Sequence, residues 1–299
     1  MQLIAYIALY PLIWFISILP FRILYFFSDL TYIIIYRIIG YRKKTVRENM
    51  ALALPHLHTE ERKAIEKKFY RHFCDSFFEM IKTMTISVNE LKRRFTFNNI
   101  ELVKEFEDKG KSIVLICPHY GSYEWLLIMN KYLTTHNGFG VYKTIRNKYF
   151  DKLVRRIRGK FDAELVDTKN TISLMRENQK KGILGYYGFI SDQSPRIDRA
   201  TYWTDFFGME VPVHVGGELL AKKFDMNIMF VKGAKIKRGY YKATFIPCNE
   251  TPKDIPNFEI TEQFLRLLEQ QIIEQPEYYL WTHKRFKHRR NNPKVQTTA

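Results

Sequence analysis

The sequence predicts an α/β domain, with a mixed central sheet flanked by helices, behind an N-terminal helical segment that anchors the chain in a membrane. After residue 111, short continuous apolar runs typical of buried strands alternate with helix-like stretches, which is the order expected of an α/β sheet. The first charged side chain is Arg22, so the residues before it form an uncharged stretch long enough for a helix to cross a bilayer. We therefore expect an anchor over residues 1–40, including interfacial helices, and one domain over residues 41–299.

The composition favours a partner that carries negative charge. The 299 residues include 48 Lys and Arg against 31 Asp and Glu, a formal net charge of +17, and 15% of them are aromatic. A chain that is both basic and aromatic suits either nucleic acid or a membrane surface with anionic lipids. Hydrophobic residues at 46% and charged residues at 26% are close to globular averages, which excludes wholesale disorder.

The cysteines give no sign of a metal or disulfide framework. Cys74, Cys117 and Cys248 are odd in number and share no spacing typical of metal ligands. A disulfide scaffold and a zinc ribbon are therefore disfavoured, and a reducing compartment is favoured. Cys117 is a candidate thiol nucleophile by position, but a thiol inside an apolar strand is typically an inert core residue.

The N-terminal segment is better explained as an anchor than as a cleaved signal peptide. It lacks the basic start and the small-residue cleavage site of a signal peptide. A second apolar stretch, residues 30–39, is interrupted by Arg37, and a basic cluster follows it at Arg42, Lys43, Lys44 and Arg47. That cluster predicts a cytoplasmic location for the domain, with the second apolar stretch lying in the membrane interface. A buried helical hairpin of a soluble domain is the alternative.

The domain reads as helices followed by alternating strands and helices. Residues 45–110 predict helices, because charged positions and aromatic positions fall on separate helical faces. Buried strands are predicted at residues 112–117, 140–142, 183–190, 227–231 and 240–246. Helices are predicted at residues 124–133, 150–158, 171–181 and 217–224, and residues 262–286 lead into a final helix and a basic tail. In such a sheet, functional sites are expected at the carboxyl ends of the strands.

The end of the first buried strand carries the strongest candidate site. A loop leads from His119 into a helix whose first turn contains Glu124, with Ser122 as a plausible N-cap. This arrangement can bring the imidazole and the carboxylate together, whereas residues five apart on one helix point away from each other. A carboxylate beside one ring nitrogen raises the basicity of the other, which suits general-base work on an alcohol. By composition alone, a structural histidine explains the pair as well.

These residues resemble a known enzyme family. His119 and Glu124 match the His-x4-Glu signature of the lysophospholipid-type acyltransferases, and their surroundings resemble the lipid A late acyltransferases, the lauroyl and myristoyl transferases of Gram-negative bacteria. The resemblance covers nearly the whole chain. The other matching strings are Arg47-x-Asn49, Tyr142-Lys143-x3-Asn147, Asp151, Arg158, Asp192-Gln193-Ser194-Pro195, Phe206-Phe207-Gly208, Gly217-Glu218-Leu219-x-Ala221 and Tyr279-Leu280-Trp281-x-His283-Lys284-Arg285-Phe286-Lys287.

The resemblance implies a fold like that of glycerol-3-phosphate acyltransferase and assigns roles to individual residues. His119 and Glu124 would be the catalytic pair. The substrate-binding residues would be Arg158, Asp192, Gln193, Lys143, Arg146 and Asn147. The chain departs from the family at Tyr142-Lys143-Thr144, where the family usually has Tyr-Arg-Pro. Lys143 keeps the charge without the bidentate fork of arginine, and Arg146 is near enough in sequence to compensate.

The activity implied by the resemblance is O-acyl transfer. His119, oriented by Glu124, would remove a proton from a hydroxyl of a lipid A precursor or a similar glycolipid, and the oxygen would attack the thioester of an acyl carrier protein. The resemblance implies no metal and no cofactor, because a thioester is already activated. The expected location is the inner membrane, with the catalytic domain on the cytoplasmic face, where the carrier protein is found.

Two alternatives stay open at this point. The acceptor can be a different membrane lipid, and neither the acyl chain length nor the choice between acyl carrier protein and coenzyme A follows from the sequence. The distant alternative is a membrane-tethered nucleic-acid-binding protein that uses the basic tail over residues 283–290. That alternative leaves the His119–Glu124 pair unexplained, and we expect no nucleic-acid partner.

Overall fold

A mixed sheet lies at the centre of the chain, and helices flank it. The structure is a computed structural model that describes residues 2–133, 135–249 and 251–290. Within these residues the main sheet has seven strands, and a separate pair of strands forms a small second sheet. The predicted α/β fold with a mixed, helix-flanked sheet is confirmed.

The helices and strands have the following bounds. The α-helices are α1 (Gln2–Ile18), α2 (Phe21–Tyr32), α3 (Lys43–Ala53), α4 (Thr59–Lys82), α5 (Val88–Arg94), α6 (Ile100–Asp108), α7 (Lys148–Arg158), α8 (Thr171–Lys180), α9 (Gly216–Phe224) and α10 (Glu259–Glu274). A π-helix spans Ile33–Ile39, and 3₁₀ helices span Tyr123–Lys131, Gly159–Phe161, Ile197–Arg199, Pro252–Asp254 and Pro276–Tyr278. The strands are β1 (Phe95–Phe97), β2 (Ile113–Cys117), β3 (Asn137–Tyr142), β4 (Ala163–Asp167), β5 (Gly185–Ile190), β6 (Trp203–Phe206), β7 (Met209–Pro212), β8 (Asn227–Lys237) and β9 (Tyr240–Asn249).

Strand β2 is the middle strand of the main sheet, whose order is β1-β9-β8-β2-β5-β3-β4. It runs parallel to both of its neighbours, β5 and β8, whereas β8 and β9 are antiparallel. All five of its side chains are buried. Val114 and Ile116 belong to one apolar core, and Ile113, Leu115 and Cys117 belong to another. The continuous apolar run of β2 therefore reflects burial on both faces of the sheet.

Four of the strands were not expected from the sequence. Strand β1 has only three residues and lies within the region predicted to be helical. Strand β4 lies at the edge of the sheet and has one exposed position, Glu164, so its apolar run is broken. Strands β6 and β7 form the antiparallel pair outside the main sheet. Short strands at an edge carry too few apolar positions to be distinguished by periodicity.

The uncharged N-terminal stretch does not form one long helix. Helix α1 ends at Ile18 and α2 begins at Phe21, with Pro20 in an extended conformation as the N-cap of α2. Proline lacks the N–H that a continuing helix needs, which favours a break here, although α1 accommodates Pro11. In the described residues no single helix is long and apolar enough to cross a membrane. Among the helices that the structure describes, one pair, Phe21–Ile39 and Lys43–Ala53, is long and apolar enough when taken together, and it is bent by 91°.

The N-terminal helices pack on the domain across the boundary that we predicted at residue 40. The Lys82 ammonium of α4 donates to the carbonyl oxygens of Ser17 and Leu19, at 2.8 Å each. The Ser28 hydroxyl donates to the buried Asp75 carboxylate at 2.7 Å. These buried polar contacts hold α1 and α2 against α4.

The C-terminal segment is held to the loop after β2 and to α3. The Leu280 N–H donates to the carbonyl of His119 at 3.1 Å, and the Gly121 N–H donates to the carbonyl of Tyr278 at 3.0 Å. On the other side, the buried Asn49 amide donates to the carbonyls of Trp281 (2.8 Å) and His283 (2.6 Å). Leaving either carbonyl unpaired and buried would cost about 1–3 kcal/mol. The segment therefore supports the loop that carries His119.

Candidate active site

Two parallel neighbouring strands bring His119 and Asp192 together. Cys117 at the end of β2 is in register with Ile190 at the end of β5, so the residues just beyond each strand are adjacent. Nδ1 of His119 lies 2.8 Å from Oδ1 of Asp192, and the backbone N–H of His119 donates to the same oxygen at 3.0 Å. The Asp192 side chain is 1% exposed and that of His119 is 19% exposed. The histidine is therefore anchored from inside and open on its outer edge.

This geometry defines which ring nitrogen is free. Burial by itself raises the pKa of Asp192, but the charge of His119 and its two hydrogen bonds outweigh burial and lower that pKa below the ordinary value. Asp192 is thus ionised at neutral pH and can only accept, so Nδ1 of His119 carries the proton. Nε2 then keeps its lone pair and can act as a general base.

Two further side chains limit the rotation of the imidazole. The Gln193 amide nitrogen lies 3.4 Å from each ring nitrogen, which places it against the ring rather than in line with one of them. The Tyr123 ring packs edge-on against the imidazole, with 4.9 Å between the ring centroids. Gln193 lies in the loop after β5, and Tyr123 is the first residue of the helix that follows the loop after β2.

Glu124 binds Arg158 instead of His119. Oε2 of Glu124 accepts from Nε of Arg158 at 2.8 Å, and Oε1 accepts from Nη2. Burial lowers the pKa of Arg158, but the hydrogen bond and charge of Glu124 raise it above the ordinary value. Within the described chain, the salt bridge of His119 is to Asp192 and that of Glu124 is to Arg158. The expected contact between His119 and Glu124 is therefore corrected.

His119 and Glu124 do not pair because each has a different hydrogen-bonding partner. The neighbouring strand β5 already supplies a buried carboxylate to Nδ1 of His119. The planar guanidinium of Arg158, at the end of α7, matches the Glu124 carboxylate with two parallel hydrogen bonds. Tyr123 lies near both pairs: burial raises its pKa, the charges of Glu124 and Asp192 raise it further, and that of Arg158 lowers it. The site thus contains a hydrogen-bonded His119–Asp192 pair and a Glu124–Arg158 salt bridge, and Tyr123 is close to both.

The residues after β3 do not join this cluster. Lys143 and Arg146 are exposed, and in the described part of the chain no hydrogen bond or salt bridge links them to the pairs above. Asn147 caps α7, since its Oδ1 accepts from the backbone N–H groups of Tyr149 (3.1 Å) and Phe150 (3.3 Å). Asn147 therefore acts on the site through α7, the helix that ends in Arg158.

Sequence reasoning missed a polar layer from the C-terminal segment. The His283 Nε2 accepts from the Ser194 N–H at 3.1 Å, two residues after Asp192. The Arg285 side chain is 1% exposed, donates to the Pro212 carbonyl at 3.1 Å and lies over the Phe206 ring. Burial raises the pKa of Tyr279, and the Asp192 charge raises it further. Tyr279, His283 and Arg285 lie in the segment Tyr279–Lys287, which resembles the family. That resemblance was the sequence feature that could have pointed to them.

The alternative nucleophile and a metal centre find no support in this geometry. Burial raises the pKa of Cys117 to about 12, so its thiol stays protonated at neutral pH. In the parts of the chain that the structure describes, no group of three or more His, Cys, Asp or Glu side chains is arranged to hold a metal ion.

Comparison with known proteins identifies relatives over most of the chain. The family model described as bacterial lipid A biosynthesis acyltransferase matches residues 2–288. The lipid A biosynthesis lauroyltransferase of Escherichia coli (strain K12) is 22% identical over 280 residues, which cover 93% of this chain and 89% of that protein. A lipid A biosynthesis acyltransferase of Haemophilus influenzae is 23% identical over 256 residues, covering 81% and 76%. Lipid A biosynthesis acyltransferase 2 of Shigella flexneri is 21% identical over 256 residues, covering 84% and 79%.

We expect His283 to make stability depend on pH. Burial, reinforced by the charges of Arg285 and Lys287 and opposed by Asp192, lowers the pKa of His283 to about 4 from an ordinary value of 6.5. The unfolded chain therefore takes up the proton first, and the stabilisation that neutral His283 provides is lost as pH falls from about 6.5 to about 4. Urea unfolding of His283→Gln should show a shallower loss over this range than the unchanged protein. The control His56→Gln changes an exposed histidine, and its free energy of unfolding should fall with pH as steeply as that of the unchanged protein. Equal pH dependence in all three proteins would contradict the role given to His283.

Proposed function

Because this chain belongs to the family of bacterial lipid A biosynthesis acyltransferases, it is an O-acyltransferase, and we propose that His119 is its general base. The observation that carries the proposal is the partly exposed His119 ring, whose Nδ1 is held by buried Asp192 and whose Nε2 is therefore free. The proposed donor is an acyl carrier thioester, and the proposed acceptor is a hydroxyl of a lipid A precursor.

In the proposed reaction, Nε2 of His119 takes the proton of the acceptor hydroxyl as the oxygen attacks the thioester carbonyl carbon. The carbon–sulfur bond of the resulting tetrahedral intermediate then breaks. The carrier thiolate leaves and receives the proton from the His119 imidazolium, so that an ester and a free thiol are formed. Ionised Asp192 keeps the ring in the correct tautomer and stabilises the imidazolium between the two steps, by the logic of a catalytic triad.

Glu124 and Arg158 have a different role in this proposal. Glu124 holds the guanidinium of Arg158, which is 24% exposed, next to Tyr123 and thus beside the reacting histidine. A fixed, partly exposed cation suits an anionic group of the acceptor or the developing oxyanion. We therefore assign substrate positioning to Arg158 and the orientation of Arg158 to Glu124.

The proposed donor is acyl carrier protein. The net charge of +17 favours association with an acidic carrier protein, since opposite charges raise the rate of encounter. Coenzyme A thioesters carry negative charge as well, so a donor panel is needed to separate the two.

The activity test uses the full-length protein with acyl carrier protein or coenzyme A thioesters and a lipid A precursor. We expect transfer from the carrier thioester, a loss of at least about a hundredfold in His119→Ala, and unchanged activity in the control His56→Ala. Mass spectrometry of the product identifies the acylated lipid. Transfer by His119→Ala at the unchanged rate would refute the proposed base, and acylation of a different lipid only would refute the proposed acceptor.

Paired variants separate the two carboxylates. Asp192→Asn should lower kcat by about 10²–10⁴-fold, because the amide no longer fixes the tautomer of His119. Glu124→Gln should mainly raise KM, since it loosens Arg158 and leaves the contact of His119 with Asp192 intact. Circular dichroism and thermal unfolding check that both variants are folded. If Asp192→Asn kept its kcat while Glu124→Gln lost it, Glu124 would be the orienting residue after all.

We further propose attachment to the cytoplasmic face of the inner membrane through the N-terminal helices. Among the described residues, 15 of the 23 exposed large apolar side chains lie within residues 3–39. Their exposed fractions reach 65% at Phe26 and 75% at Ile38. An apolar surface of this extent on helices is typical of proteins that lie in a membrane interface.

The attachment is tested by sedimentation with phospholipid vesicles. Replacing Phe26 and Ile38 by Glu should lower the bound fraction of the full-length protein severalfold, because each carboxylate would have to enter the apolar layer. Ile172 is exposed on α8, outside this segment, so Ile172→Glu is the matched control and should bind as the unchanged protein does. Equal binding by all of these proteins would exclude this surface as the attachment site.

A further inference from the structure

A cleft separate from the space around His119 lies between the N-terminal helices and the body of the domain. Its volume is about 920 Å³, and its lining excludes His119, Glu124 and Asp192. The walls come from α2 and the π-helix, from α4, from the end of β8 and the turn after it, and from the 3₁₀ helix Pro276–Tyr278. The proposed acyl transfer uses none of these walls.

The cleft has an excess of positive charge. Arg37, Lys68, Arg71, Lys235 and Arg238 line it, against three acidic side chains. Two of those acids, Asp29 and Asp75, are both bound by the single guanidinium of Arg238, at 2.7 and 2.6 Å. The third, Glu277, lies 3.8 Å from Lys68.

Two guanidinium groups of the cleft are left without an acidic partner. In the described part of the chain, neither Arg37 nor Arg71 forms a salt bridge, and Arg71 lies over the ring of Tyr32 at 5.3 Å. A guanidinium presents a planar fork of N–H donors that matches two oxygens of a phosphate. The pair is therefore free to bind one.

The buried ammonium group of Lys235 also favours an anionic ligand in this cleft. The Lys235 side chain is only 8% exposed, and among the described residues its one hydrogen bond is to Nδ1 of His72, at 3.3 Å. The Asp75 carboxylate is 3.7 Å away. Burial, together with the charge of Lys235, keeps the pKa of His72 well below its ordinary value, so His72 is neutral and adds no competing charge. An ammonium has three donors, so Lys235 retains capacity for an anionic ligand in the cleft.

The cleft opens at the edge of the exposed apolar surface. Arg37 and Ile33 line it from the π-helix, while Ile34, Ile38 and Ile39 of the same helix are 40%, 75% and 65% exposed. Cations beside an apolar surface suit a ligand whose charged part sits in a polar cleft and whose chains enter a membrane.

We propose that this cleft binds the phosphate group of an anionic membrane lipid through Arg37, Arg71 and Lys235. The site is separate from His119 and does not depend on the proposed acyl transfer. One wall of the cleft contacts the loop after β2, because His72 packs against Tyr278 at 5.0 Å between ring centroids and the Tyr278 carbonyl accepts from the Gly121 N–H at 3.0 Å. A lipid bound here would hold the membrane surface next to the segment that supports the histidine.

The test compares vesicle binding by the full-length protein and two charge-matched double variants. Arg37→Gln/Arg71→Gln removes the two unpaired cations of the cleft, and both residues are exposed, so the fold should be unaffected. Arg176→Gln/Lys180→Gln removes two exposed cations from α8, outside the cleft. Phosphatidylcholine vesicles carry either phosphatidic acid or oleic acid, adjusted to the same surface potential.

We expect the cleft variant to bind phosphatidic acid vesicles about tenfold more weakly than the unchanged protein. The α8 variant should stay within about twofold, and on oleic acid vesicles the two variants should behave alike. If both variants lost the same amount of binding to phosphatidic acid vesicles, general charge attraction would explain the result. That outcome would overturn the proposal.

Calorimetry distinguishes the source of the phosphate. The unchanged protein should bind a water-soluble short-chain phosphatidic acid at least about tenfold more tightly than inorganic phosphate, because the chains reach the apolar edge of the cleft. Equal affinities would mean that the cleft takes free phosphate and would refute the lipid assignment. None of these measurements uses acyl transfer, so their failure and the failure of the proposed reaction are distinguishable.

Discussion

The hydrogen bond between buried Asp192 and Nδ1 of His119 is the interaction on which the account of this site depends. It exists because β2 and β5 are parallel neighbours at the centre of the sheet, and both loops leave the sheet at the same edge. Burial raises the pKa of this carboxylate, but the interactions with His119, including hydrogen bonds from Nδ1 and the backbone N–H, lower it below the ordinary value. One consequence is a partly exposed histidine whose Nε2 has a lone pair.

The C-terminal segment contacts both of the loops that carry this hydrogen bond. Its backbone pairs with the loop after β2, and His283 accepts from the Ser194 N–H in the loop after β5. Asn49, more than 200 residues earlier in the chain, fixes the same segment through two carbonyls. Asn49 and the C-terminal segment are thus far apart in the sequence but together support the loop that carries His119.

The sequence predicted the fold class and the strand that carries His119, because a run buried on both faces leaves a clear apolar pattern. It did not predict the partner of His119. The lateral order of strands is absent from a single sequence, and Asp192 becomes a neighbour only because β5 pairs with β2 while β3 and β4 lie further out. The two residues are 73 positions apart in the sequence, which hid the contact, whereas Glu124 was close in sequence and was favoured for that reason. The anchor predicted over residues 1–40 contains more than one helix in the structure, since α1 ends at Ile18 and α2 begins at Phe21 with Pro20 as its N-cap.

The tautomer of His119 tests the central claim most directly. Nitrogen-15 NMR of the full-length protein with labelled histidine reports which ring nitrogen carries the proton, and the spectrum of His119→Gln assigns the signal. The account predicts a proton on Nδ1 and a lone pair on Nε2 at neutral to mildly alkaline pH, and the loss of this preference in Asp192→Asn. A proton on Nε2 in the unchanged protein, or an unaltered His119 signal in Asp192→Asn, would contradict it.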